Sequence, residues 1–244
     1  MWTRSELKQR GKLAFKANYW KCVLVSLILV ILTGASSGGS AAGNSDEEGN
    51  SLMNALQTAS QQTGISVGAI VGIVFGVIGV AFVIGLVISI LVKNPFIVGC
   101  RSFYLNNSDA PANFGQIAAG FSKFGYGRVI LTMFLRDLFI GIGFFLLIVP
   151  GVILTYSYRL VPYILAENPE ISGMDALKKS ADMMRGQKWN AFVLDLSFIG
   201  WMLLAIITCG IVGIFYVDPY MHATDAELYK AIRDHYNGNG TVNY

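Results

Sequence analysis

Apolar runs alternate with polar stretches along the whole chain, and the lengths of the runs predict helices that cross a bilayer. Val129 to Val149 is almost unbroken. Its roughly 21 residues, at about 1.5 Å each, reach across a hydrocarbon core about 30 Å thick. Pro150-Gly151 turns the chain, and Val152 to Ala166 runs back. Before this pair, Cys22 to Ala35 is a short run, and Ile65 to Val92 is long enough that it must tilt or project beyond the core. Asn190 to Thr208 follows, then a tight turn at Cys209-Gly210, then Ile211 to about Leu228. The pattern predicts an all-α membrane protein, with about six transmembrane helices in three hairpins and amphipathic cytoplasmic surface helices. One polytopic domain contains a surface helix (1–21), a first hairpin (22–92) with an external loop at 36–64, and a cytoplasmic segment (93–127). A second hairpin (128–167), a cytoplasmic helix (168–189), a third hairpin (190–228) and a tail (229–244) complete it.

The polar stretches assign the sides. Thr3 to Asn18 carries Arg4, Lys8, Arg10, Lys12 and Lys16 beside Leu7, Leu13, Ala14 and Phe15, as a helix on an anionic membrane surface would. Tyr19 and Trp20 follow at the level of an interfacial aromatic belt. Residues 36–64 are rich in Gly, Ser, Asn and Gln, include Asp46, Glu47 and Glu48, and contain no Lys or Arg. Phe114 to Phe124 reads as a further surface helix. Ser172 is placed to cap a helix with Asp175 at its third position, and Met174, Leu177, Ala181 and Met184 share one face of it. Nearly all Lys and Arg fall before the first span, between the second and third, between the fourth and fifth, and after the sixth. That asymmetry puts both termini in the cytoplasm. The basic leader followed by Gly34-Ala35-Ser36-Ser37 also has the form of a signal peptide. Its length before the apolar run, about 20 residues against the few of a signal-peptide n-region, favours a retained first span.

Three units of the chain look alike. Aromatic markers at Trp20, Tyr126 and Trp189 precede the outgoing spans, and Pro95-Phe96, Pro162-Tyr163 and Pro219-Tyr220 close the returning ones. A repeat of this kind packs its units around shared sites. Gly68, Gly72 and Gly76 lie four apart on one face, a spacing that lets membrane helices approach closely.

Composition narrows the function classes. Only 14% of the 244 residues are charged, and a net charge of +3 with no basic cluster among stacking aromatics excludes nucleic acid as a partner. Cys22, Cys100 and Cys209 are scattered and form no CxxC pair, so neither a disulfide framework nor a zinc site is indicated. No phosphate loop, dinucleotide fingerprint, HExxH or GxSxG is present, so no catalytic, cofactor-binding or metal-ligating residue is assigned.

Charges inside the spans carry what chemistry there is. Arg136, Asp137, Arg159 and Asp195 each lie about two turns from the cytoplasmic end of a span, and Asp218 and His222 follow in the sixth. An unpaired charge at mid-membrane costs about 3 kcal/mol or more, so these groups must pair or face water. Two readings stand: ion pairs that fix helix register, with Asp195 on Arg136 or Arg159, or a polar cavity for a substrate, ion or proton. Asp218, His222 and Asp225, at i, i+4 and i+7, have a ligand-like spacing. Asp218 before Pro219 is equally the start of a helix, as is Asn94 before Pro95.

The chain resembles a bacterial family of integral membrane proteins, domain of unknown function 975. The stretches that carry the resemblance include Trp2-Thr3-Arg4-Ser5-Glu6-Leu7-Lys8, Asn18-Tyr19-Trp20, Asn94-Pro95-Phe96-Ile97-Val98-Gly99 and Pro150-Gly151-Val152-Ile153. Others are Val161-Pro162-Tyr163-Ile164-Leu165-Ala166-Glu167-Asn168-Pro169, Thr208-Cys209-Gly210 and Pro219-Tyr220. The resemblance implies several spans in a bacterial plasma membrane and no particular activity. The expectation is a non-enzymatic membrane protein, transporter-like or lipid-interacting through its inner-leaflet polar layer. The alternative is a structural or accessory subunit. Membrane lipids are the expected partners, with another membrane protein or a second copy of the chain beside them.

Overall fold

The computed structural model describes residues 2–34, 54–62, 64, 66–109, 113–122 and 125–240, and every regular element among them is helical. The expected external loop at 36–64, apart from 54–62 and 64, lies outside the described residues. Helix α1 (Arg4–Ala17) starts at Thr3, whose hydroxyl accepts from the Glu6 N–H at 3.3 Å. It meets α2 (Tyr19–Gly34) at an angle of 103°. Then come α3 (Val67–Ile88), a π-helical turn at Ser89–Lys93, and α4 (Asn94–Asn107). A 3₁₀ turn at Phe114–Gln116 leads to α5 (Ala119–Ser122), α6 (Tyr126–Leu146), α7 (Ile148–Ser157) and α8 (Val161–Glu167). The chain continues as α9 (Gly173–Met183), α10 (Lys188–Leu196), α11 (Ile199–Ile207), a second π-helical turn at Gly213–Val217, and α12 (Asp218–Gly240).

Four stretches among the described residues are long and apolar enough to cross a membrane: Val67–Asn107, Tyr126–Leu146, Ile148–Glu167 and Lys188–Ile207. The bent pair α1–α2 is a fifth if counted as one span. The run from Ile211 is not among them, because Asp218, Asp225 and Glu227 interrupt its hydropathy.

Several expectations shift. The leader helix packs on α12: Leu7, Gly11, Ala14 and Phe15 are buried, and a Cβ at Gly11 would lie 2.6 Å from the Thr224 hydroxyl. Leu13, counted on the apolar face, is 64% exposed. The segment read as a polar cytoplasmic return from residue 93 is instead the centre of the core. In α4, Val98, Cys100, Phe103 and Tyr104 are all buried. The stretch read as a surface helix at Phe114 to Phe124 is, over its described part, a 3₁₀ turn and the short α5 folded onto α4. A Cβ at Gly99 would fall on the Ile117 carbonyl and one at Gly120 on the Pro95 carbonyl, so two backbones cross where only glycine fits.

The turn expected at Pro150-Gly151 falls earlier, at Leu147, whose φ of −162° and ψ of 152° break the helix. Pro150 then sits in the first turn of α7, where its missing N–H leaves no bond unmade. Gly151 lets α7 lie against α6, since a Cβ there would meet the Phe144 ring at 2.5 Å. The turn at Cys209-Gly210 is present, with both residues at positive φ, 50° and 85°. Ser172 caps α9 as expected, accepting from the Asp175 N–H at 3.3 Å. Of the predicted stripe, Leu177 and Met184 are buried and Ala181 is half-buried, while Met174 is exposed; Ala176, Ser180 and Met183 complete the buried face. Around Gly68, Gly72 and Gly76 nothing of the described chain lies within 4 Å of an added Cβ. The close packing expected there is not made within one described chain.

Candidate functional site

Three prolines decide where polar groups meet. Pro95, Pro162 and Pro219 each stand at the second residue of a helix, α4, α8 and α12. Each helix starts just after an irregularity: a π-helical turn at Ser89–Lys93, the turn at 158–160, and a π-helical turn at Gly213–Val217. Proline has no N–H and its ring crowds the carbonyl four residues back, so the preceding helix must widen or break. Asn94 (φ −64°, ψ −48°) and Asp218 (φ −62°, ψ −50°) keep helical dihedrals, so neither acts as the N-cap that its place before proline suggests. The wider turns let the chain pass these prolines while remaining helical. α4 packs on both α8 and α12, and the three units of the repeat thus converge.

The side chains they bring together form one continuous polar network. Arg159, in the turn before α8, holds Asp195 of α10 with both terminal nitrogens, at 2.7 and 2.8 Å. The Tyr156 hydroxyl also donates to Asp195, at 2.8 Å. Arg159 donates to Asp225 of α12 at 2.6 Å, and the other oxygen of Asp225 faces Arg101 of α4 at 3.9 Å. Arg101 lies 2.7 Å from His222 Nδ1 and 3.3 Å from the Tyr163 hydroxyl. A guanidinium only donates, so His222 Nδ1 accepts and the ring is neutral with its proton on Nε2. Two arginines thus face two carboxylates and a neutral imidazole. The Arg159–Asp195 fork is charge-assisted and bidentate, the geometry that favours arginine over lysine.

A second cluster adjoins the first through stacked rings. Tyr163 lies parallel to Tyr229, with centroids 5.2 Å apart and planes 16° from coplanar. The Tyr229 hydroxyl donates to Glu167 at 2.8 Å, and Glu167 is also ion-paired with Arg233. Burial, and then the Glu167 carboxylate beside it, pushes the Tyr229 phenol well above its ordinary range.

The expected layer is therefore gathered only in part. Arg159, Asp195 and His222 are joined. Arg136 is not: it pairs with its neighbour Asp137 at 3.6 Å, and the Asp137 side chain is 58% exposed. Among the described residues the buried Arg136 Nε has no acceptor. Asp218 is half-buried beside the network and outside it. Sequence reasoning overlooked Arg101, Tyr156 and Tyr163. Arg101 was counted with the cytoplasmic positive charges; the repeat held the missing signal, because Arg101 follows Pro95 by the same spacing at which Asp225 follows Pro219.

Chemically the network is closed around Arg159 and open at Arg101, whose buried Nε has no acceptor among the described residues. Both oxygens of Asp195 are occupied, and both terminal nitrogens of Arg159 are engaged. The cavities described lie elsewhere. One of about 710 Å³ runs between α1, the end of α4 and α12, and two more flank the start of α1. Among the described residues no group of three His, Cys, Asp or Glu is placed to hold a metal ion.

The family model described as protein of unknown function (DUF975) matches residues 71–236, more than half of the chain. The match includes α4 to α11 and every member of the network, and it begins after α1 and α2. No curated protein and no solved structure matches the chain.

Proposed function

Since the chain belongs to this family of unknown function, we propose from its geometry that it is a non-enzymatic, multi-pass component of the bacterial plasma membrane. On this reading it acts by holding another membrane protein, or a second copy of itself, against α3. The observation that carries the reading is the state of that helix. The most apolar window of Val67–Asn107 has none of its residues buried, and the face formed by Gly68, Gly72, Gly76 and Gly79 is open among the described residues. Membrane helices associate through such small-residue faces. The polar network, with Asp195 and the terminal nitrogens of Arg159 engaged, acts as a staple and not as a passage. The full topology proposed is six crossings with both termini cytoplasmic: α2, α3, α6, α7–α8, α10–α11 and the return from Ile211.

A second reading keeps a transporter-like or lipid-interacting role for the polar layer. Arg136 supports it, because its buried Nε lacks an acceptor and its ion pair is long. A photocrosslinking residue at Gly76 in native membranes separates the two. A discrete protein adduct is expected. Adducts with lipid alone would remove the binding reading.

A further inference from the structure

The two smaller cavities share a wall. One, of about 480 Å³, is lined by Trp2, Thr3, Arg4, Trp189, Asn190 and Val193. The other, of about 360 Å³, has Thr3 and Arg4 in common with it and adds Ser5, Lys8 and Ser197. Their position relative to the bilayer follows from Trp189 and Asn190, which open the candidate span Lys188–Ile207; Trp189 is 70% exposed there, at the level of an aromatic belt.

The charge of the walls is one-sided. Arg4 and Lys8 both line the smaller cavity, and neither has a carboxylate partner among the described residues. Lys8 is held in place by the Ser197 carbonyl at 2.9 Å and stands over the Phe198 ring at 4.2 Å. Burial, and then Arg4 beside it, lowers the Lys8 ammonium from its ordinary range, as expected for two cations without a counter-ion. The Trp2 indole N–H, on the larger cavity, finds no acceptor among the described residues. A wall of donors and cations beside two indoles at a span end matches a phosphodiester whose acyl chains continue into the bilayer.

We infer that the two cavities along α10 that meet at Thr3 and Arg4 bind the headgroup phosphate of an anionic phospholipid, with Arg4 as its principal contact and Lys8 as a fixed second charge. The inference rests on the membrane placement proposed above and is independent of what covers α3.

The test uses the full chain in detergent and counts phosphatidylglycerol and phosphatidylcholine retained in native mass spectra. Wild type should retain phosphatidylglycerol selectively. Arg4→Gln, which breaks no ion pair or hydrogen bond described in the chain, should reduce that retention about fivefold, the scale of one basic residue at an anionic surface. Lys12→Gln, the same charge change on the exposed side of α1, should leave it within about twofold. Equal loss in the two variants would reduce the site to diffuse charge and overturn the inference, as would equal retention of phosphatidylcholine. Displacement of the lipid by millimolar inorganic phosphate would make it a free-anion site and overturn it too. Should Arg4→Gln fail to fold, Trp2→Ala provides the same comparison on the opposite wall. Crosslinking at Gly76 reports on α3 alone, so failure of the one proposal leaves the other standing.

Discussion

The hydroxyl of Tyr126, the first residue of α6, donates to the carbonyl of Leu91 at 3.0 Å. An α-helix would fill that acceptor with the N–H of residue 95, and residue 95 is proline. The aromatic that marks the start of one repeat unit therefore closes the gap that proline opens at the end of another. Tyr126→Phe should cost about 1 kcal/mol, less where water reaches the carbonyl. In a Pro95→Ala background, which restores the N–H, the same substitution should be nearly neutral. Additive losses in thermal unfolding of the detergent-solubilised protein would show that the two residues act separately.

The network around Arg159 predicts a larger effect. Asp195→Ala removes the fork held at 2.7 and 2.8 Å but leaves Arg159 on Asp225 at 2.6 Å, so it should cost about 1.5–3 kcal/mol, the range for hydrogen bonds to charged groups. Arg159→Met takes the close partner from both Asp195 and Asp225 and should cost more, about 3–5 kcal/mol. Arg136→Met should be close to neutral, because among the described residues Arg136 is ion-paired with the exposed Asp137 alone. Melting temperatures of the variants rank these cases, and a drop for Arg136→Met as deep as that for Asp195→Ala would contradict the assignment of the staple.

Glycine positions separate packing within the chain from packing beyond it. Gly99→Ala and Gly120→Ala place a methyl on a backbone carbonyl and should each destabilise the protein by about 3 kcal/mol or more. At Gly72 and Gly76 an added Cβ meets nothing among the described residues, so Gly72→Ile and Gly76→Ile should leave the melting temperature unchanged. They should nonetheless weaken whatever association α3 makes, read by crosslinking in native membranes.

Orientation is tested by labelling in intact cells with an impermeant thiol reagent, in a chain whose own cysteines are replaced by serine or alanine. A cysteine at the exposed Gln57 should react and one at the exposed Lys178 should not. The reverse pattern would invert the proposed topology.

What local chemistry specifies was legible in the sequence. The apolar runs at Tyr126–Leu146 and Lys188–Ile207 announce themselves because a membrane helix must satisfy its backbone within itself and show lipid an apolar surface. Cys209-Gly210 and Ser172 could be placed because turns and caps depend on a few adjacent residues. That Asp195 needs an arginine at its own depth was also legible, since charge is costly there. Which arginine, and what else joins it, depended on where separate helices cross. Arg159 and Arg136 are equivalent by depth, and the turn between α7, which packs on α10, and α8, which meets α12, selects Arg159 while α6 keeps Arg136 apart. Arg101 read as a cytoplasmic charge because Asn94-Pro95 looked like the end of a span. Only the π-helical turn at Ser89–Lys93, which carries the helix past the proline and into the core, brings Arg101 to His222 and Asp225. Burial of α1 against Thr224 was hidden for the same reason: a basic amphipathic helix suits a lipid surface and a protein groove alike, and the choice between them is made by the helix that lies opposite.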